Sequence, residues 1–252
     1  MVVVKNFNLA VLQARMSSTR LPGKVMSQIN GHPMIYWEIC RISKAKHVNK
    51  IVVAISDQSS DDILANYLQS ICQEFIRGPL DNVLGRYVKA EENYNPTATI
   101  RLTADCPLVM PELIDQYLEI FYKSDFDYLS NTLELSYPDG LDVEIIKPGI
   151  LKKLLEFNLS EQEKEHVTLG IYSRKDKFKT YNVSNKTNIS DFRWTVDTYD
   201  DLAFVKSIYK QFESEEMIFT FEDVLKYVRA FIPGWIRCRD NQGWHIEKVI
   251  GV

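Results

Sequence analysis

The apolar run Leu9-Ala10-Val11-Leu12 leads directly into the loop Gln13-Ala14-Arg15-Met16-Ser17-Ser18-Thr19-Arg20-Leu21-Pro22-Gly23-Lys24. The apolar run predicts a first buried strand, and the Pro-Gly pair predicts that the chain then turns. The loop carries three cations, Arg15, Arg20 and Lys24, together with three hydroxyl side chains. Guanidinium forks, an ammonium group and backbone N–H groups match phosphate oxygens, so the stretch predicts a polyphosphate site.

The loop differs from the two common phosphate-binding motifs. It contains neither G-x-x-x-x-G-K-[ST] nor G-x-G-x-x-G, so neither a P-loop NTPase nor an ordinary dinucleotide-binding protein is indicated. A solvated basic loop after the first strand is the structural alternative to a phosphate site.

The composition limits the classes of function. A hydrophobic content of 45% in 252 residues is enough for one α/β domain with a sizeable core, and no run is suited to crossing a bilayer. The net charge of -4 disfavours a nucleic-acid-binding protein with a broad basic surface. The four scattered cysteines argue against a disulfide framework or a zinc site. Because the start of the chain lacks the features of a secretory signal, we expect a soluble, cytoplasmic protein.

Apolar runs and helical patterns alternate over the first half of the chain. This alternation predicts an α/β fold in which helices cover both faces of a mostly parallel sheet. It also predicts a ligand site at the carboxyl ends of the strands. Strands are predicted at 50–55, 74–77 and 98–103, and helices begin near Pro33, near Ser59 or Ser60, near Asp81 and near Pro111.

Two aspartates lie at the ends of predicted strands. Asp105 follows the strand at 98–103, and Asp197 lies near the end of a strand predicted at 192–198. A carboxylate at a buried strand end is costly without a partner, so each aspartate indicates a bound cation or a helix cap. A cap on the helix at Pro111 is the alternative for Asp105. Acidic residues are favourable in the first turn of a helix, which explains Asp200 and Asp201 but not Asp197.

The segment 126–190 has a less regular pattern. Alternating apolar and acidic residues at 141–146 predict a half-buried strand with Asp142 and Glu144 on its polar face. A capping box predicts that one helix runs from 160 to 175. Further predicted elements are strands at 127–131 and 179–183 and helices at 199–212 and 221–231.

The loop pattern A-R-x-x-S-T-R-L-P-G-K resembles the opening loop of the cytidylyltransferases that activate acidic sugars. These are CMP-Kdo synthetase and, more closely, the spore-coat polysaccharide protein F group. The resemblance extends to Asp105-Cys106-Pro107, to Gly140-Leu141-Asp142-Val143-Glu144 and to Glu165-His166-Val167-Thr168. The Kdo enzymes have Gln-Gly-Asp-Glu-Pro where this chain has Thr103-Ala104-Asp105-Cys106-Pro107, which leaves the identity of the sugar open.

The resemblance implies a Rossmann-like nucleotide-diphospho-sugar transferase fold and a reaction in which an acidic sugar attacks CTP and pyrophosphate leaves. We expect one domain over residues 1–252, with a nucleotide-binding part at 1–125, a mixed strand-and-helix subregion for the acceptor sugar and a homodimer contact at 126–190, and a part at 191–252 with the second metal-binding aspartate and C-terminal helices. Neither a nucleic acid nor a membrane is expected as a partner.

The resemblance also implies a role for particular residues. Arg15, Lys24, Asp105 and Asp197 are implied to be catalytic, and the two aspartates are implied to bind Mg²⁺. Contacts with the acceptor sugar are implied for Asp142, Glu144 and His166. Contacts with the nucleotide are implied for Gln13, Ala14, Arg15, Ser17, Ser18, Thr19, Arg20, Lys24, Arg77 and Arg101.

Two other functions stay open. A sugar-phosphate nucleotidyltransferase that uses UTP, GTP or dTTP would open with G-x-G-x-R-L-x-P, and the first two glycines are missing here. A non-catalytic nucleotide-sugar-binding protein on the same fold would be expected to lose Asp105, Asp197 or Lys24, and all three are present.

Overall fold

The computed structural model describes residues 6–212, 219–231, 236–240 and 243–247. The strands are β1 (Asn8–Gln13), β2 (Gln28–Ile29), β3 (His32–Pro33), β4 (Lys50–Ser56), β5 (Phe75–Gly78), β6 (Ala98–Thr103), β7 (Tyr128–Ser130), β8 (Glu144–Ile146), β9 (Thr180–Asn182), β10 (Ile236–Asp240) and β11 (Gly243–Glu247). The helices are α1 (Met34–Ile42), α2 (Asp62–Ser70), α3 (Val83–Tyr94), α4 (Pro111–Tyr122), α5 (Ile150–Leu154), α6 (Glu161–Glu165), α7 (Leu169–Tyr172), α8 (Tyr199–Gln211) and α9 (Phe221–Phe231).

Seven strands form one sheet in the order β5-β4-β1-β6-β8-β7-β9. Only β8 runs antiparallel to its neighbours in this sheet, and the other pairs are parallel. The predicted mostly parallel sheet is therefore confirmed. In the register of β1 and β6, Gln13 lies opposite Thr103. The loop at 13–24, called the phosphate loop below, and the turn at 103–107, called the Asp105 turn, therefore leave the sheet side by side.

Both faces of the sheet are covered by helices. Leu9 and Val11 of β1 belong to a core with α3, α5 and α7, whereas Ala10 and Leu12 belong to a core with α1, α2, α4, α8 and α9. Strands that are buried on both faces need apolar residues at every position. This explains why β1 reads as a continuous apolar run, and it confirms the prediction of helices on both faces.

The helix predicted from 160 to 175 is broken into two. The capping box at Ser160 and Glu163 is present, but α6 ends at Glu165 and α7 begins at Leu169. Between them Val167 has a φ of 45° and is fully buried. A β-branched residue rarely adopts this conformation. The break carries the Val167 side chain into the core, whereas α6 itself contains no buried residue.

Two predicted strands are also corrected. The strand predicted at 141–146 is regular only from Glu144 to Ile146, and residues 192–198 form no strand. Within the latter segment, Arg193 makes an isolated bridge to Asp139. Gly140, at a φ of 104°, allows this close approach, because a Cβ atom there would lie 2.5 Å from the backbone nitrogen of Thr195.

The C-terminal part contains more than the predicted helices. After α9, β10 and β11 form an antiparallel hairpin. The other residues of the tail from 235 to 252, and residues 1–5, lie outside the described residues. Among the helices described, none combines the length and apolar character needed to cross a membrane.

Candidate active site

A cleft of about 290 Å³ opens where β1 and β6 end. It brings together side chains from the phosphate loop, the Asp105 turn, the end of α6 and the segment before α8. Most of the site residues predicted from the sequence line it, although their positions in the chain span more than half its length. These are Gln13, Ala14, Arg15, Ser18, Thr19, Arg20, Lys24, Arg101, Asp105, His166 and Asp197.

The phosphate loop is shaped by a carboxylate that sequence reasoning missed. Buried Asp61 accepts hydrogen bonds from the Met16 N–H at 2.8 Å and from the N–H and hydroxyl of Ser56. The Met16 carbonyl in turn accepts a bond from Gly23, whose φ is 71°. In sequence Asp61 resembled an ordinary charge at a helix start, so only the fold reveals that it holds the loop.

Lys24 is the centre of the cleft floor. Its ammonium group donates to Asp105 Oδ2 at 3.1 Å, to Asp197 Oδ1 at 2.9 Å and to the Val196 carbonyl at 2.8 Å. Burial lowers the pKa of Lys24, but the two carboxylates outweigh this effect and raise the pKa above its ordinary value. The group is therefore charged, and each of its three N–H donors has an acceptor.

Asp197 contacts three cations. Its Oδ1 accepts from Lys24, and its Oδ2 lies 2.8 Å from Arg20 and 2.5 Å from Arg193. Burial alone would raise the pKa of Asp197, but Lys24, Arg193 and Arg20 lower it below its ordinary value. The carboxylate is therefore held in its charged form.

Backbone contacts bring Asp197 to the cleft without a strand. The Val196 N–H donates to the Asp105 carbonyl at 2.8 Å, and the Thr195 hydroxyl donates to the same oxygen at 3.0 Å. Asp201 accepts from the Asp197 N–H and forms a capping box with Thr198 at the start of α8. The two candidate metal ligands are thus joined through the main chain.

The rim of the cleft is more open than its floor. Arg15 lies 3.3 Å from Glu165, and both side chains are more than one third exposed. His166 is exposed beside this pair. An exposed ion pair contributes at most about 1 kcal/mol, so Arg15 can exchange Glu165 for a phosphate group at little cost.

Two predicted nucleotide residues lie elsewhere. Arg77 is on β5, two strands away from β1, and its guanidinium donates to the Ser56 and Gln58 carbonyls and to Asp62. Arg77 does not line the cleft, and its contact with the nucleotide stays a prediction. Ser17 is exposed and does not line the cleft.

The two acidic residues predicted on a polar strand face are also placed differently. Glu144 is buried, and its carboxylate accepts bonds from Arg101 and from the Tyr128 hydroxyl. This burial corrects the prediction that Glu144 lies on an open polar face of a half-buried strand, and its contact with the acceptor sugar stays a prediction. Asp142 is half-buried and does not line the cleft. Burial, with Asp139 and Glu144 nearby, raises the pKa of Asp142 to about 7.

A further buried acid lies beneath the cleft. Glu38 on α1 is fully buried, and neither of its carboxyl oxygens has a hydrogen-bond partner in the described part of the chain. Burial raises the pKa of Glu38 well above its ordinary value, and the negative charge of Asp105 adds to this shift. Burial therefore favours the protonated form of Glu38. In sequence it stood on an apolar helix and gave no signal.

The raised pKa of Glu38 predicts a pH dependence of stability. Because the folded-state pKa of Glu38 is raised, its contribution to stability is full below the unfolded-state pKa and is lost as pH rises. Glu38→Gln should remove a decline of at most about 1.4 kcal/mol per pH unit. Urea unfolding of both proteins at pH 5 and pH 8 checks this. Parallel pH profiles of the two proteins would contradict it.

The residues at the cleft floor suit a divalent cation. Asp105 and Asp197 direct one oxygen each to the same ammonium group, and carboxylate oxygens are ligands that Mg²⁺ prefers. No group of three or more His, Cys, Asp or Glu side chains suited to a metal occurs among the described residues. A cation held here would therefore take its other ligands from water and substrate phosphates.

Comparisons with known proteins give a family model and a relative that each cover most of this chain. A family model with the description Cytidylyltransferase matches residues 9–231. Spore coat polysaccharide biosynthesis protein SpsF of Bacillus subtilis (strain 168) is 31% identical over 210 residues, which cover 81% of this chain and 86% of that protein.

Solved structures give the same result. A cytidylyltransferase from Leptospira borgpetersenii serovar Hardjo-bovis (strain JB197) is 27% identical, with a TM-score of 0.84 over 89% of this chain and 94% of the other. CMP:2-keto-3-deoxy-manno-octonic acid synthetase complexed with CTP is 17% identical, with a TM-score of 0.63 over 82% of this chain and 99% of the other. The second match shows a common fold. Together the matches confirm the resemblance indicated by the loop pattern.

Proposed function

This chain belongs to the cytidylyltransferase family of nucleotidyltransferases, and on that premise we propose that it activates an acidic sugar with CTP, giving a CMP-sugar and pyrophosphate. The observation that carries the proposal is the convergence of Arg15, Arg20 and Lys24 with Asp105 and Asp197 in one cleft. Such a site neutralises a polyphosphate and a departing pyrophosphate.

The names of the similar proteins support the choice of acceptor. SpsF is named for spore coat polysaccharide biosynthesis, and the synthetase of similar fold is named for a CMP-linked keto acid sugar and was solved with CTP. We therefore place the product in the synthesis of a surface polysaccharide or glycan. The homodimer and the cytoplasmic location stay predictions.

In the proposed reaction the sugar hydroxyl attacks the α-phosphorus of CTP in line, and the chain's own residues position the reactants. Arg15 and Arg20 each have an exposed guanidinium that can turn from its carboxylate partner to the pyrophosphate oxygens. Asp105 and Asp197 would hold Mg²⁺, which when bound supplies charge neutralisation at the phosphate oxygens. His166, on the rim beside Arg15 and Glu165, is proposed to contact the acceptor.

Pyrophosphate release tests this proposal. With CTP and Mg²⁺, we expect release only when an acidic sugar is added, because in the proposed reaction the sugar hydroxyl is the group that displaces pyrophosphate. Kdo and neuraminate-type and legionaminate-type acids form the acceptor panel, and UTP replaces CTP as a control. Turnover with another NTP and a glucose 1-phosphate-type substrate, but with no acidic sugar, would assign the protein to sugar-phosphate activation instead.

A further inference from the structure

Arg193 is a buried cation beside the candidate metal ligands. Its guanidinium donates to Asp139 Oδ2 at 2.6 Å and to Asp197 Oδ2 at 2.5 Å, and its Nε lies 3.4 Å from Asp201 Oδ1. The side chain is 13% exposed. One planar group therefore links the turn before β8, the candidate metal ligand and the first turn of α8.

These contacts determine which oxygen of Asp197 faces the cleft floor. Arg193 and Arg20 both contact Oδ2, whereas Oδ1 is directed to the Lys24 ammonium group. A carboxylate that is anchored through one oxygen presents the other in a defined direction. Asp105 has a similar arrangement, because its Oδ2 contacts Lys24 and its Oδ1 lies 3.6 Å from the Cys106 sulfur.

The backbone around Arg193 is itself fixed. The Asp139 N–H donates to the Phe192 carbonyl at 3.0 Å, and the Trp194 N–H donates to the Asp139 carbonyl at 2.6 Å. Trp194 is fully buried, and Gly140 lies against the same segment. Because both neighbours of Arg193 are tied to the Asp139 turn, the guanidinium has a rigid base from which to hold Asp197.

We propose that Arg193 is a positioning residue that holds Asp197 through Oδ2, so that Oδ1 is presented to the divalent cation bound with CTP. The proposal rests on the proposed function, because it takes Asp197 as a ligand of that cation. An arginine suits this role because its rigid fork spans two carboxylates at once, whereas a lysine offers a single point charge.

Binding of Mn²⁺ in the presence of CTP, without acceptor, tests the proposal by electron paramagnetic resonance. We expect Arg193→Lys to weaken Mn²⁺ binding by about 10- to 100-fold, the usual effect of losing a group that orients a metal ligand. Asp139→Asn removes an anchor of Arg193 without altering Asp197, and it should weaken Mn²⁺ binding in the same direction. Unchanged Mn²⁺ affinity in both variants would overturn the proposal.

Arg41→Lys is the matched control. Arg41 is also buried, but it donates to the Val109 and Phe219 carbonyls and to the Met110 sulfur, away from the cleft. Arg41→Lys should lower the melting temperature and leave the Mn²⁺ affinity unchanged. If Arg193→Lys does not fold, the Mn²⁺ affinity of Asp139→Asn decides the question.

Asp197→Asn distinguishes a failure of the metal assignment of Asp197 from a failure of the positioning role of Arg193. If it retains the Mn²⁺ affinity of the original protein, Asp197 is not a ligand, and the metal assignment of the proposed function fails. If it loses Mn²⁺ while Arg193→Lys and Asp139→Asn keep full affinity, the metal assignment stands and the positioning role of Arg193 is overturned.

Discussion

Asp105→Asn is expected to lower pyrophosphate release from CTP by more than about 10³-fold while the protein stays folded. The substitution keeps the shape of the side chain and removes the charge that faces the cleft floor. Asp105 is half-buried, and its partner Lys24 keeps two other acceptors, Asp197 and the Val196 carbonyl. The loss of charge should therefore appear in turnover and not in the fold.

Initial rates of pyrophosphate release and a thermal unfolding curve of Asp105→Asn check this expectation. Asp176→Asn is a control of the same chemistry, because Asp176 is exposed and pairs only with its neighbour Lys177 among the contacts described. The control should keep full turnover. A folded Asp105→Asn protein with more than about one tenth of the original rate would show that this carboxylate lies outside the reaction.

Asp197→Asn, in contrast, is expected to lower the stability of the folded protein. Asp197 is buried and contacts Lys24, Arg20 and Arg193, so an asparagine there leaves buried cations with fewer partners. Removing one partner of a buried ion pair strongly destabilises a protein. Retention of the fold is therefore expected for Asp105→Asn and not for Asp197→Asn.

The parallel half of the fold could be predicted because its signals are local. The strands β1 and β4 are apolar over their central residues since they are buried on both faces, and β6 has apolar residues at Ala98, Ile100 and Leu102. The capping boxes at Ser160 and Thr198 likewise lie within a few residues of the helices that they begin. Each of these signals depends on neighbours in the chain, so a single sequence contains it.

The errors share a physical cause, which is dependence on distant partners. Glu144 is buried because Arg101 and Tyr128 contact its carboxylate, and neither is near it in sequence. Residues 192–198 looked like a strand, but their hydrogen bonds go to the Asp139 turn and the Asp105 carbonyl. Alternation of side chains predicts extended backbone, and it does not show whether a neighbouring strand is present.

The environment of Lys24 could be predicted from the sequence only in part. The loop pattern indicated that Lys24 belongs to the site, and the structure places it in the cleft. The sequence did not show that this side chain is buried, and in the structure it is only 10% exposed. Its removal should therefore affect stability as well as turnover.

Lys24→Met is expected to lower turnover by roughly 10²- to 10³-fold, as for the loss of one preorganised charge-stabilising donor. It should also lower the free energy of unfolding by about 3 kcal/mol, because Asp105 and Asp197 are left facing each other without the ammonium group. Pyrophosphate release and urea unfolding measure the two effects. Methionine keeps much of the length of the side chain, so the lost charge accounts for most of the change.

A second consequence concerns Mg²⁺ in the absence of CTP. In the original protein the Lys24 ammonium group already lies between the two carboxylates, so added Mg²⁺ should raise the melting temperature very little. In Lys24→Met that position is open to a cation, and a ligand that binds the folded state stabilises it by mass action. Mg²⁺ should therefore raise the melting temperature of Lys24→Met more than that of the original protein.

Arg15→Gln provides the comparison for Lys24→Met. Arg15 forms an exposed pair with Glu165, so its loss should leave the melting temperature and the Mg²⁺ response unchanged while turnover falls. If Lys24→Met melted like the original protein and responded to Mg²⁺ in the same way, Lys24 would not separate the two carboxylates in solution. If the Mg²⁺ response increased only in Lys24→Met, the ammonium group and the metal ion would be competing for one position between Asp105 and Asp197.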